Sequence, residues 1–221
     1  RARRAAAAET IWLFGLHAVR DALVNPRREA LRLVLTRNAA DRLGEVPMAA
    51  EIVDARSFEK VAPLAPDSVH QGAALEVRPL KWGSLSEVCL RPSPQGVRPM
   101  VVALDRVTDP HNVGAVLRSA EVFGARAVIA PARHAAPETG ALAKAASGAL
   151  ERQPYLRVPN LSDALRDMQN MGFTVIGLDG EAPDTLDRVL AQGPSGHQLD
   201  VLDLGCRAAV GQPQQTTRHC S

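Results

Sequence analysis

M-V-V-A-L-D-R-V-T-D-P-H-N-V-G-A-V-L-R-S-A-E-V-F-G-A, residues Met100 to Ala125, joins an apolar run, a polar turn and a helical pattern without a break. Val101 to Leu104 form the continuous apolar run of a parallel strand covered on both faces, and Asp105 ends it. Asp109 to Asn112 are turn formers: Pro110 fixes a backbone angle, and Asn112 suits the cap of a helix that starts near it. Val113, Val116, Leu117 and Ala120 recur at helical spacing, while Gly114, Arg118 and Glu121 fall on another side of the same helix. Gly124 closes it.

Open α/β sheets bind ligands beyond the carboxyl ends of their strands, which puts candidate site residues at Asn112 to Arg118. Gly114 removes a side chain one turn before Arg118, so a ligand backbone approaching there meets free N–H donors and a guanidinium. That combination suits a phosphate or a nucleotide. Singly, each residue has an ordinary role too: Asn112 as a cap, Gly114 for packing, Arg118 as a solvated charge.

Downstream, strand and helix alternate. Strands are predicted at Ala127–Ala130, Leu156–Val158 and Phe173–Leu178, helices at Glu138–Ala146 and Leu161–Met171, and the alternation argues for a parallel sheet. No G-x-G-x-x-G or G-x-x-x-x-G-K-[ST] follows any strand, so dinucleotide and P-loop readings lack their anchor. Gly177 to Gly180, G-L-D-G, is a strand-to-loop turn. Upstream, residues 79–99 are rich in proline, glycine and serine and read as a linker, in which Trp82 packs on a domain or stacks on a base. Before it, a strand and helix over Thr10–Leu23, strands at Ala30–Leu35, Pro47–Val53 and Gly72–Val77, and a short helix at Ser57–Val61 predict a compact α/β unit. Arg20, Arg27, Arg28, Arg32 and Arg37 are available there for phosphates, and His17 is given no catalytic role.

At 221 residues the chain can bury one good core and a smaller second one. Apolar content of 46% and charged content of 23% are those of an ordinary globular protein, and no stretch is apolar for long enough to span a membrane. A net charge of +2 does not by itself argue for nucleic acid. Cys89, Cys206 and Cys220 lack the spacing of a metal site or a disulfide framework, so no metal is expected and a reducing cytoplasm is. Residues 1–8, R-A-R-R-A-A-A-A, form a basic, alanine-rich tail without a signal-peptide core.

The phrase L-D-x-V-x-D-P-x-N-x-G-A-x-x-R-S-A-x-x-F-G-A, carried by Leu104 to Ala125, resembles the first signature motif of the SpoU/TrmH family of SPOUT-class RNA ribose 2'-O-methyltransferases. Ala141 to Glu151, A-L-A-K-A-A-S-G-A-L-E, is similar to the family's helix and S-x-G-A turn, and Val175 to Gly180 to its cofactor-side turn. Ile11 to Leu23 and His70 to Pro79 resemble its small N-terminal RNA-binding domain; the matches cover about four fifths of the chain.

The resemblance implies an α/β protein with an L30e-like N-terminal domain and a parallel-sheet SPOUT catalytic domain ending in a trefoil knot. It implies S-adenosylmethionine as cofactor, and RNA as partner, most like the branch acting on a guanosine of large-subunit ribosomal RNA, with transfer RNA as the other substrate. It implies a homodimer. Arg118 and Asn112 become the catalytic pair, with the protonation role of Arg118 open because a guanidinium is too weak an acid for an ordinary base. Gly177, Leu178, Asp179 and Gly180 become cofactor-side residues, and Arg20, Arg32, Gly114 and Ser147 RNA-binding ones. The expected layout is a tail (1–8), an RNA-binding domain (9–79), a linker (80–98), a methyltransferase domain (99–182) and a divergent tail (183–221).

That last segment departs from the family. The second and third motifs, around G-S-E-G-x-G-L and S-L-N-V-S-x-A-A, are replaced by A-Q-G-P-S-G-H-Q-L and D-L-G-C-R-A-A-V-G-Q-P-Q-Q-T-T-R-H-C-S, in which no apolar strand followed by a long helix is read. The motif glutamate, serine and asparagine are absent, so the expected knot is missing or altered, and cofactor site and dimer come into question together. Degenerate codons for Gly211 to Gln215 admit a second frame reading Gly-Ser-Leu-Asn, so the hypothesis for the tail is a frameshift after about Ala182, which the nucleotide sequence decides. An RNA-binding remnant without activity is the alternative reading.

Overall fold

The computed structural model describes residues 10–66, 68–92, 99–178, 185, 188, 199–203 and 218–220. The chain divides into two compact units: one runs to Lys81 and also takes Pro137–Arg152, and the other holds Trp82–Ala136 and the chain from Gln153.

In the first unit β1 (Ile11–Phe14), α1 (Leu16–Val24), β2 (Ala30–Thr36), α2 (Arg37–Leu43), β3 (Ala50–Val53), α3 (Phe58–Val61) and β4 (Ala73–Val77) follow in order. The four strands form a sheet of order β1-β4-β2-β3, parallel only between β2 and β3. Alternation sorts its two faces: Leu13, Leu75 and Leu33 stand in one row of partners, and Phe14, Ala74 and Val34 in the next. Phe58 of α3 closes over Val34 and Ala74, with Trp12 and Leu64 at the margin. The helix α2 is absent from the sequence reading because R-N-A-A-D-R-L buries only Ala39 and shows no apolar stripe; a cap starts it, the Thr36 hydroxyl accepting from the Ala39 N–H.

Pro137–Arg152 completes this unit. It holds α4 (Gly140–Ala146) and a single 3-10 turn at Ala149–Glu151. The helix starts at Gly140, with Thr139 as its cap, so Glu138 stands outside it rather than at its first position. A Cβ on Gly140 would overlap the Trp12 carbonyl and the Phe14 ring, which is how closely α4 lies on β1.

The second unit opens with α5 (Leu85–Cys89), inside the stretch read as linker. A capping box explains it: the Ser84 hydroxyl accepts from the Glu87 N–H, and the Glu87 carboxylate accepts from the Ser84 N–H at 2.6 Å. Val88, Cys89 and Trp82 are buried. There follow β5 (Met100–Ala103), α6 (Pro110–Val122), β6 (Ala127–Pro131), β7 (Tyr155–Val158), α7 (Leu161–Asn170), β8 (Phe173–Leu178), β9 (Leu199–Asp203) and β10 (Arg218–Cys220). Strands β5 to β10 form one six-stranded, wholly parallel sheet of order β10-β8-β9-β5-β6-β7. Its centre is dry: Val101 to Leu104 and Ala127 to Ala130 are all buried, as covered parallel strands require.

Two expectations are corrected here. Asn112 does not cap α6: Asp109 does, its carboxylate accepting from the His111 N–H at 3.0 Å, with Pro110 at the first helical position where no N–H is missed. The segment after residue 183 does contain strands, because β9 lies between β8 and β5, and β10 lies at the sheet's edge. In β9, L-D-V-L-D interrupts the apolar run with Asp200 and Asp203, and pairing on both sides supplies what composition does not show. The rest of the proposed frameshifted tail, and residues 1–8, lie outside the described residues.

Candidate active site

The carboxyl ends of the central strands are level. Gly177 of β8 pairs with Asp203 of β9, Asp203 with Ala103 of β5, and Ala103 with Ile129 of β6. From β5 the chain proceeds to β6 and β7 on one side and returns to β8 and β9 on the other, so a topological switch point lies between β5 and β9, where such sheets bind ligands. The loop after β5 leads into the first turn of α6, and Arg106 within that loop holds a left-handed φ of 55°.

Along α6, Val113, Gly114, Leu117 and Ala120 are buried, while His111, Asn112 and Arg118 are exposed. Asn112 and Arg118, six residues apart, are offset by about 120° around the axis. Gly114, expected to contact RNA, is instead buried inside the unit. At the other strand ends Gly177 is buried and Leu178 half-buried, and Asp179 and Gly180 lie outside the described residues.

The first unit carries the other candidates. The Arg20 guanidinium is exposed and donates to the Arg42 carbonyl at 3.2 Å. Arg32 is exposed and paired with Glu51 at 2.7 Å, its guanidinium carbon 6.0 Å from the Trp12 ring centroid. Ser147 is exposed and ends α4 in the left-handed region, at φ 49°.

Arg28, read as a phosphate ligand, is instead buried, its side chain 0% exposed. Its Nε and Nη2 donate to the two carboxylate oxygens of Glu151 at 3.0 and 2.6 Å, and Nη1 donates to Glu138 at 2.7 Å and to the Arg78 carbonyl at 2.8 Å. Asn25 adds a bond to the Glu151 carboxylate at 2.8 Å and one to its carbonyl at 3.0 Å. Burial works against the charge of Arg28, but the hydrogen bonds and charge of Glu151, with Glu138 behind, hold the guanidinium above its ordinary value. Burial raises the carboxyl of Glu138 despite Arg28 beside it.

Among the described residues no group of histidine, cysteine and carboxylate side chains suits a metal ion, and no helix is long and apolar enough to cross a membrane.

Comparison with known proteins places this architecture. The SpoU rRNA Methylase family matches residues 99–199. The 23S rRNA (guanosine-2'-O-)-methyltransferase RlmB of Nitrosomonas europaea is 32% identical over 201 residues, which cover 89% of this chain and 76% of that protein. The protein of the same name from Pseudomonas aeruginosa is 40% identical over 156 residues, 70% of this chain and 60% of its own length, so the chain spans less than two thirds of that relative. Among solved structures, the SpoU methyltransferase AviRb from Streptomyces viridochromogenes, in complex with S-adenosylmethionine, has the same fold, with a TM-score of 0.65, 18% identity, and coverage of 90% of this chain and 74% of that one. S-adenosylmethionine is the cofactor of these enzymes. The chain belongs to the SpoU rRNA methylase family, a family of RNA methyltransferases.

Proposed function

We propose that this protein transfers the methyl group of S-adenosylmethionine to a ribose 2'-hydroxyl of RNA, ribosomal in preference to transfer RNA. The observation that carries the reading is the exposed Arg118 and Asn112 on a helix that leaves the carboxyl end of β5 at the sheet's switch point. When bound, the cofactor supplies a sulfonium-activated methyl group. The chain's own part would be to align the ribose hydroxyl in line with that methyl group, keep water out and let the hydroxyl proton pass to solvent. Arg118 holds the acceptor and its phosphate at the reacting position, and Asn112 orients the approach. Gly177 and Leu178 would hold the cofactor at the strand ends, and Arg20, Arg32 and Ser147 would serve RNA. In this reading residues 9–79 are the RNA substrate-binding domain and 99–182 the methyltransferase domain, acting in the cytoplasm.

The absence of the family's motif glutamate, serine and asparagine after Gly180 favours a second reading, an RNA-binding remnant without activity. Calorimetric titration with S-adenosylmethionine, followed by transfer of labelled methyl to 23S rRNA, separates the two. Micromolar binding and transfer lost in Arg118→Ala support the enzyme. RNA binding without cofactor binding supports the remnant.

A further inference from the structure

Arg28 reaches both ends of one excursion of the chain. Glu138 precedes α4 and Glu151 follows the turn after it, and the single guanidinium joins them. Between them Ser147 and Gly148 are both held at positive φ, 49° and 88°, and Ser147 is exposed. A Cβ on Gly148 would overlap the Asp21 carboxylate, and Asp21 also pairs with Arg152 at 3.2 Å. Lys144 donates to the Val69 carbonyl at 2.9 Å. The turn is thus over-determined: a left-handed serine persists where the surroundings fix it.

We propose that Arg28 is a positioning residue that clamps residues 138–151 through Glu138 and Glu151, so that the turn carrying the exposed Ser147, with Gly148 buried behind it, is preformed to receive the RNA backbone. This rests on the RNA-directed function proposed above. Arginine is required because its planar fork satisfies two carboxylates at once, and an ammonium, a point donor, does not. A preformed turn spares the ordering that a loose one must undergo on binding.

The test uses Arg28→Lys, Glu151→Gln and, at the turn itself, Gly148→Ala in the full chain. Hydrogen exchange is followed by mass spectrometry, and binding uses in vitro transcribed 23S rRNA. Arg28→Lys and Glu151→Gln are expected to lose exchange protection within 137–152 and to weaken RNA binding about tenfold, the scale of ordering a loose turn on binding. Gly148→Ala is expected to match that loss in binding while protection around Arg28 is kept. Where turnover is measured, KM for RNA rises and kcat holds within about twofold. Unchanged protection and binding in Arg28→Lys and Glu151→Gln overturn the proposal, as does protection lost evenly through the whole first unit. Wild-type protein that binds the RNA but transfers no methyl group defeats the enzymatic reading alone, because exchange and binding need no turnover.

Discussion

The first unit buries Arg28 under four side-chain and backbone acceptors, whereas the second exposes Arg118 on a helix at the mouth of a parallel sheet. As letters in a chain the two residues are alike. Their surroundings differ: one is enclosed by charges inside the fold, and the other is exposed on the surface of α6. A buried ion pair binds the structure to itself, and an exposed guanidinium at a switch point is placed for a ligand.

Removing Arg28 is therefore expected to act on folding. Arg28→Ala leaves Glu151 and Glu138 uncompensated inside the first unit, and denaturant unfolding should show a loss of about 3–5 kcal/mol, the usual result of deleting one partner of a buried pair. A loss below about 1 kcal/mol, the range of exposed pairs, would break the contrast.

Removing Arg118 is expected to act on chemistry. Arg118→Ala should lower kcat for methyl transfer by about 10²–10³, in line with loss of one preorganised electrostatic contact, while stability stays within about 0.5 kcal/mol of the parent. Equal losses of stability in the two variants would mean that position in the fold does not separate the two arginines.

Much of this was legible in advance, for reasons that residues make plain. β8 is predicted at Phe173–Leu178 and found there, because Phe173, Val175, Ile176 and Leu178 in a covered strand leave their mark in composition alone. The start of α6 was displaced by three residues because Asp109 and Asn112 have the same capping chemistry, and Pro110 decides between them. Arg28 was misread because burial of a charge depends on partners 110 and 123 positions away, which no local pattern reports. β9 was missed for the same reason: its pairing with β5 and β8, not its own five residues, makes it a strand.

Titration sharpens the contrast from another side, since Cys89 is buried in the second unit without a compensating charge of its own. Burial pushes its thiol up from 9.0 to about 11, opposed only by Arg126. A raised folded value means that the folded protein keeps a proton the unfolded chain loses, so this contribution is intact below pH 9 and is lost as pH rises through 11. The wild type should lose on the order of 1–2 kcal/mol over that window relative to Cys89→Ala, after allowance for solvent. Parallel pH profiles of the two proteins would refute the burial argument.

The cap is a smaller effect at the candidate site itself. Asp109→Ala frees the His111 N–H and should cost about 1 kcal/mol, whereas Asn112→Ala, inside the helix, should cost less. Thermal unfolding of both variants decides which residue begins α6.

Smallest of all is Arg32, and it is the most exacting comparison because its local geometry resembles that of Arg28. Its Nε and Nη2 both reach Glu51, at 3.1 and 2.7 Å, across the neighbouring strands β2 and β3. Two things differ: both Arg32 bonds fall on the single oxygen Oε2 of Glu51 where Arg28 spans both oxygens of Glu151, and both side chains are 45% exposed, where those of Arg28 and Glu151 are 0% and 3% exposed. Solvent screens the exposed pair and hydrates whichever partner is left behind, so a double-mutant cycle on Arg32 and Glu51 should give about 0.2–1 kcal/mol, falling further in salt. The cycle is needed because Arg32 also lies near the Trp12 ring, and a single substitution would mix that packing with the charge. A coupling as large as the loss at Arg28 would mean that forked geometry, not burial, makes an arginine structural, and the same test would then have to be applied to every arginine on this sheet.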